Sequence, residues 1–264
     1  MPRGRTNPVM VTRVRPNGER SRRPDKVIVE EPMEIRLDDH LVATTMRTPG
    51  HDYELAVGFL FAEGLLGSFH VNEVRYCGTG SAVETEFNVV SVSTNGKAPV
   101  PRPRLGTTTS SCGLCGSTTI DELAARLEPF AASTPIDADL VLAVAERVRA
   151  AQELFDATGG VHAAAAFDLA TGDVQLVRED VGRHNAVDKV VGHFHLERTL
   201  PARGLGLFVS GRVSFEIVQK AWAAGFGLVA GVSAPTALAV ETATRANLTL
   251  AGFLRGDALN LYTA

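Results

Sequence analysis

Apolar and polar residues alternate through Met33-Glu34-Ile35-Arg36-Leu37, break at Asp38-Asp39, and resume at His40-Leu41-Val42-Ala43. The pattern predicts extended segments joined by a turn between Val27 and Met46. After Gly50 the rhythm changes: Tyr53 to Phe61 is almost continuously apolar and predicts a buried helix ending near Gly64. Val83-Glu84-Thr85-Glu86-Phe87-Asn88-Val89 alternates as a half-buried strand does, so the first half reads as α+β. Past Pro135, Val141, Val144, Val148, Ala151 and Phe155 mark one face of a long helix starting near Asp137 or Asp139. Strands over 162–167 and 174–177 follow, then a helix over 185–194, a strand over 205–209 and a helix over 213–224. A strand over 228–232, a helix over 235–246 and a last strand over 248–253 complete the alternation. Repeated βα units of this length predict a layered α/β domain with a sheet between helices.

Proline breaks the pattern between Thr94 and Ser111, where Pro99, Pro101 and Pro103 alternate with Val100, Arg102 and Arg104 ahead of a Thr and Ser run. This predicts a mobile loop over 94–118. Thr119-Ile120-Asp121-Glu122 has capping-box spacing and predicts a helix over 120–128. The expected organisation is a disordered basic tail over 1–26, an N-terminal α+β domain over 27–135 that includes the loop, and a C-terminal α/β domain over 136–264.

Charge sharpens the picture at the start of the chain. Residues 1–26 hold eight Arg and Lys against Glu19 and Asp25, so the net charge of −4 becomes −10 over the remainder. Pro and Gly content predicts a solvated, disordered tail, and with no aromatic residue interleaved a nucleic-acid stacking platform is not indicated. No early apolar run resembles a signal peptide, and no stretch reaches the length needed to span a bilayer. Three cysteines, with Cys77 far from the other two, disfavour an extracellular disulfide framework and fit the cytoplasm. Cys77 itself reads as a small buried hydrophobe.

Candidate chemistry lies in two kinds of place. Thr158-Gly159-Gly160 with His162, Arg178 to Asn185 with Asp188 and Lys189, and Ser210-Gly211-Arg212 with Ser214 and Glu216 all fall where predicted strands meet helices. Glycine permits close backbone approach, helix N-termini accept anions, and Arg offers forked donors for phosphate. Each motif alone is a common turn or solvated face; together they point to an anionic, nucleotide-bearing ligand, though no GxGxxG or GxxxxGK[ST] is present.

The other place is Ser111-Cys112-Gly113-Leu114-Cys115-Gly116. A structural zinc site lacks its second ligand pair, a thioredoxin-like site would not follow a Pro-rich loop, and Ala164 stands where a zinc deaminase needs Glu after His162. Sulfur transfer fits what remains: a thiolate on an exposed loop takes sulfur as a persulfide, and Cys115 resolves it or passes it on.

Cys112-Gly113-Leu114-Cys115-Gly116, Met46 to Asp52, Glu179 to Ala186 and Ser210-Gly211-Arg212, in that set, resemble the formate dehydrogenase accessory sulfurtransferase family, FdhD/NarQ, from about Glu30 to Tyr262. The resemblance implies a cytoplasmic homodimer whose C-terminal domain is similar to the cytidine deaminase fold. It implies that sulfur from a cysteine desulfurase passes to the molybdenum of bis-molybdopterin guanine dinucleotide before that cofactor enters formate dehydrogenase, with tungsten the other metal possible. It further implies that Cys112 bears the persulfide and that Phe253, Leu254, Arg255, Gly256, Asp257 and Ala258 bind the cofactor. From the residues themselves, Arg183, His184, Lys189, Arg212 and Arg255 are candidates to face its phosphates. No structural metal, membrane or nucleic-acid partner is expected. A non-catalytic chaperone that only delivers the cofactor is the alternative.

Overall fold

The computed structural model describes residues 4–67, 69–77, 81–101 and 127–264. Cys112, Cys115 and nearly all of the expected 120–128 helix lie outside the described residues; Leu127 and Glu128, at its end, are not helical.

The basic start of the chain is a ribbon rather than an unstructured tail. β1 (Thr6–Val14) and β2 (Arg20–Ile28) pair antiparallel, from Thr6 opposite Ile28 to Val14 opposite Arg20. Asn17-Gly18 sets the turn: Gly18 has φ 82°, its N–H donates to Arg15 O at 2.9 Å, and Arg15 pairs with Glu19 at 2.8 Å. Charge density argues against a core but not against a hairpin, and the Asn-Gly signal beside alternating Val9 and Val11 decides the backbone. The ribbon's root touches the body, where Ile28 faces Gly160.

β3 (Glu31–Leu37) and β4 (His40–Arg47) form the expected hairpin, turning on Asp38 and Asp39. They continue through α1 (Asp52–Ala62), β5 (Glu73–Tyr76) and β6 (Val89–Ser93) into a four-stranded sheet of order β4-β3-β6-β5. Met33, Ile35 and Leu37 from β3 and Val90 and Val92 from β6 bury against Leu55, Ala56 and Leu60 of α1. The predicted strand over 83–89 is a coil of turns instead. Val83 N donates to Ser81 Oγ, and Glu86 and Phe87 adopt φ of 51° and 59°, which no strand accepts. The strand begins only at Val89, where Val90 and Val92 can face the core.

In the second half, Asp137 caps α2 (Ala138–Ala150) by accepting from Leu140 N. The predicted long helix stops at Ala150, and Phe155 belongs to a separate α3 (Glu153–Thr158). The reason is tertiary: the Glu179 carboxylate accepts from Leu154 N and Phe155 N, each at 2.9 Å, and fixes a new helix start. Then come β7 (His162–Asp168), β8 (Val174–Asp180), α4 (Arg183–Leu196), β9 (Leu205–Val209), α5 (Phe215–Ala224), β10 (Leu228–Gly231), α6 (Ala237–Ala246), β11 (Thr249–Arg255) and β12 (Ala258–Thr263). All but β12 match expected elements; β12 returns from β11 through a two-residue turn at Gly256-Asp257, with Arg255 opposite Ala258.

The six strands form one sheet of order β12-β11-β10-β9-β7-β8. β9, β10 and β11 run parallel, while β7 runs antiparallel to both β9 and β8. Alternate residues divide between its faces: Ala164, Ala166, Leu207, Val209 and Val229 pack against α4, α5 and α6. Ala163, Ala165, Phe167, Phe208 and Ala230 pack against Val141, Val144 and Val148 of α2. This is the expected sheet between helices.

The two sheets are joined through α1 and α4. A Cβ on Gly58 would stand 1.9 Å from Asp188 O, and one on Gly192 would stand 1.8 Å from Glu54 O, so only glycine admits this crossing.

Candidate functional site

One end of the six-stranded sheet gathers the chemistry. β9, β10 and β11 all finish there, and the antiparallel registers bring the start of β7 and the end of β8 to the same edge, with His162 opposite Asp180 and Ala164 opposite Val209. β8, β9 and β10 are each followed by a turn and a helix start, so α4, α5 and α6 direct their N-termini to this edge, while β11 turns back into β12. Ser210 secures the turn after β9, its Oγ accepting from Ala163 N at 2.9 Å.

On the α2 side of this edge lies a cavity of about 1020 Å³. Phe208, Val181, Val232 and Leu254 give it apolar surface; Gly159, Gly160, His162, Ser210, Arg255 and Gly256 add backbone and polar groups. Arg149 lies 4.7 Å over the Phe155 ring and pairs with Asp156 at 2.6 Å, all three lining the cavity. Apolar surface with a few convergent donors suits a ligand combining a planar ring system with negative charge.

The expected site residues separate into distinct roles. Arg183 begins α4, and its buried Nε has no partner among the described residues. Arg212 is exposed. His184 instead serves the protein's own network: Nε2 lies 2.9 Å from Ser214 Oγ and 2.8 Å from Glu216 Oε2. Burial would raise the Glu216 carboxyl, but the hydrogen bond and charge of His184 bring it below its ordinary value.

Lys189 is not placed to face a ligand. It is 1% exposed, pairs with the fully buried Asp180 at 2.7 Å, and donates to Thr48 O and Glu179 O. A buried ammonium requires such partners, and these absorb it.

The segment Phe253 to Ala258 is the end of β11 and its hairpin turn. Phe253 takes φ 55° at a bulge, Leu254 is buried in the cavity wall, and Arg255, Gly256, Asp257 and Ala258 are exposed. Cys77 is half-buried at φ 78° rather than enclosed.

Sequence reasoning missed the lattice behind the site. Thr48 N donates to Asp180 Oδ2, Thr48 Oγ1 accepts from Val181 N, and Asn185 Nδ2 donates to Met46 O and Asp180 Oδ1. Arg47, 1% exposed, pairs with Asp52 at 3.1 Å and Glu31 at 3.3 Å and donates to Asn88 Oδ1. The Met46 to Asp52 motif thus anchors the first half to the start of α4. Asp188 and Lys220 form another buried pair at 2.5 Å; burial raises Asp188 to about 6 against the opposing charge of Lys220. The sequence marks Met46 to Asp52 only by family resemblance and Asp180, Asn185 and Asp188 only by their place at a strand end, and neither signal distinguishes a buried network from a ligand site.

Among the described residues no cluster of His, Cys, Asp and Glu is arranged to hold a metal, and no helix is long and apolar enough to cross a membrane. The six-stranded sheet has helices on both faces and a crevice at the ends of its parallel strands, which defines an α/β protein of layered architecture.

Residues 28–264 match the FdhD/NarQ family, and the chain belongs to it. It is 46% identical to the sulfur carrier protein FdhD of Mycolicibacterium paratuberculosis over 255 residues, covering 93% of each chain. It is 47% identical to the sulfur carrier protein FdhD of Nocardia farcinica, covering 96% of this chain and 91% of that one. A crystal structure from Desulfotalea psychrophila, of a protein assigned as a formate dehydrogenase accessory protein, shares the fold with a TM-score of 0.77 at 23% identity, covering 99% and 98% of the two chains.

Proposed function

We propose that this chain is a sulfurtransferase of formate dehydrogenase maturation. It takes sulfur from a cysteine desulfurase onto Cys112 and delivers it to the molybdenum of bis-molybdopterin guanine dinucleotide held at the crevice. The observation that supports this most is the convergence of Arg183, His162, Ser210 and Arg255 on one sheet end, in a chain whose relatives are named sulfur carriers. The strand order, with an antiparallel β7–β8 hairpin beside three parallel strands, supports a likeness of the second half to cytidine deaminases. We place the protein in the cytoplasm as a homodimer.

The sulfur chemistry balances with the two thiols of the sequence. The Cys112 thiolate attacks the outer sulfur of the donor's persulfide; a new S–S bond forms, the donor's S–S bond breaks, and the donor's thiolate leaves. The Cys115 thiolate then attacks the Cys112 sulfur. A Cys112–Cys115 disulfide forms and hydrosulfide departs toward the metal, the dithiol having supplied both electrons. Within the chain, the apolar cavity wall would hold the rings of the acceptor, while Arg255 and Arg183 would orient its phosphates.

Mass spectrometry of the full chain after incubation with a cysteine desulfurase and cysteine tests the first step. Addition of one or more sulfur atoms on Cys112 is expected, and Cys112→Ala should abolish formate dehydrogenase activation. Undiminished activation by Cys112→Ala would instead establish a cofactor chaperone.

A further inference from the structure

The β1–β2 ribbon carries charge that its own chain leaves unanswered. Seven cations lie between Arg5 and Lys26 against Glu19 and Asp25, and among the described residues only Arg15 is paired, with Glu19. Arg13, Arg20, Arg22, Arg23 and Lys26 are exposed and have no ion-pair partner among the described residues. In the body, by contrast, Arg147, Arg149, Arg178, Lys189 and Lys220 all have carboxylate partners.

The register sorts the ribbon's side chains onto two faces, because alternate residues of a strand point to opposite sides. Val14 stands opposite Arg20, Thr12 opposite Arg22, Met10 opposite Pro24 and Pro8 opposite Lys26. One face therefore interleaves three cations with Met10 and Val14, which are 58% and 57% exposed. At about 3.4 Å per residue the paired strands make the ribbon about 30 Å long. A two-stranded ribbon is marginal in water by itself, so a face of mixed charge and apolar surface gains stability when it is covered.

The complement lies on the same chain. From Asp137 to Asp173 seven carboxylates are set against two cations, Arg147 and Arg149. Asp137, Asp139, Glu146 and Glu153, on α2, its cap and the start of α3, are exposed and have no ion-pair partner among the described residues. A second copy brings this surface with it, and a two-fold axis forms the contact twice. Nucleic acid fits less well: the first 28 residues include no aromatic side chain for stacking, and Glu19 and Asp25 sit on the ribbon itself.

We propose that the Arg20, Arg22 and Lys26 face of the β1–β2 ribbon is a docking arm for a second copy of this chain, lying on that copy's acidic α2–α3 wall while the second copy's arm lies reciprocally on this one. The proposal rests on the homodimer reading and supplies its contact surface; it uses neither the thiols nor the acceptor. Glu146 also lines the crevice, so the second copy's arm would border that opening and the assembly and the site would share a wall.

Sedimentation velocity of the full chain tests this with two charge-reversed variants. Arg20→Glu with Arg22→Glu reverses the arm, and Asp139→Lys with Glu153→Lys reverses the wall. Wild type should be a dimer that weakens as salt rises from about 50 mM to about 500 mM, where exposed charges are screened. Each variant alone should raise the dimer dissociation constant about 10-fold or more, because like charges then oppose one another in both contacts. An equimolar mixture of the two should recover the dimer, since every arm then meets a wall of opposite sign. Arg203→Gln, in an exposed turn, should leave the dimer unchanged. Circular dichroism melting identifies any variant that fails to fold, and Arg20→Gln with Arg22→Gln, expected to give a smaller loss, then takes the place of the reversed arm. A mixture that stays monomeric while both variants are folded would overturn the docking arm. So would a dimer indifferent to both variants, which leaves the homodimer standing with its interface elsewhere. A wild-type monomer at every salt concentration overturns both readings. Nucleic acid retained by wild type and lost from the reversed arm, with sedimentation otherwise unchanged, would assign the arm to nucleic acid and overturn the second copy as its occupant.

Discussion

Lys189 and Arg183 stand six residues apart on the same helix, yet they occupy opposite chemical states. Around Lys189 every strong group has a counterpart: Asp180 pairs with its ammonium, Thr48 O and Glu179 O accept hydrogen bonds from it, and Asn185 and Gly182 donate to the remaining Asp180 oxygen. Around Arg183 a guanidinium nitrogen, an imidazole and an empty glycine position face one another unpaired. A saturated network holds the protein together, and under the proposed function the unsaturated groups are the ones left to meet the acceptor. The charge count of the two neighbourhoods conveys neither.

The sharpest way to break this contrast is Lys189→Met. It would strand Asp180, which has no exposed surface, and is expected to cost about 3–5 kcal/mol, read as a lower denaturant midpoint. Adding Asp180→Asn should recover part of the loss, because the stranded charge goes with it.

A smaller effect is expected at Glu54, which pairs with Arg178 at 2.5 Å and with His193 at 3.1 Å. Burial would raise its carboxyl, but hydrogen bonds and charges from Arg178 and His51 lower it to about 2. A folded-state value depressed below the unfolded one stabilises above pH 4.5 and is lost as pH falls from 4.5 toward 2. Glu54→Gln should therefore be less stable than wild type at pH 7 by about 2 kcal/mol, and the gap should close by pH 2 in urea titrations.

Arg255→Gln marks the other extreme. An exposed cation in a hairpin turn should change stability by less than about 0.5 kcal/mol, while activation of formate dehydrogenase falls measurably. A stability loss comparable to that of Lys189→Met would erase the distinction between the two neighbourhoods.

Much of this was legible from period and punctuation. Val187, Val190, Val191 and Phe194 announce α4, the strands β7 to β11 follow their apolar runs, and the Gly-rich turns after β9 and before β7 mark the crevice. Misreadings occurred where distant partners outweigh local pattern. Glu179 splits the α2–α3 segment with its carboxylate from across the fold, and nothing near Ala151 records that. Lys189 looked available because its partners Thr48 and Glu179 are distant or unremarkable in sequence. The β1–β2 ribbon was hidden by its own arginines, although Asn17-Gly18 is a hairpin signal.

The contact between Gly58 and Gly192 has a mechanical meaning. With two backbones touching where side chains would otherwise intervene, α1 and α4 have no cushion between them that could compress or swing. Relative motion of the sheets is limited to sliding along that seam, which would tear Thr48 from Asp180 and Lys189. The walls of the crevice that are free of this seam are those of α2 and α3, where Leu142, Ala145 and Phe155 line it.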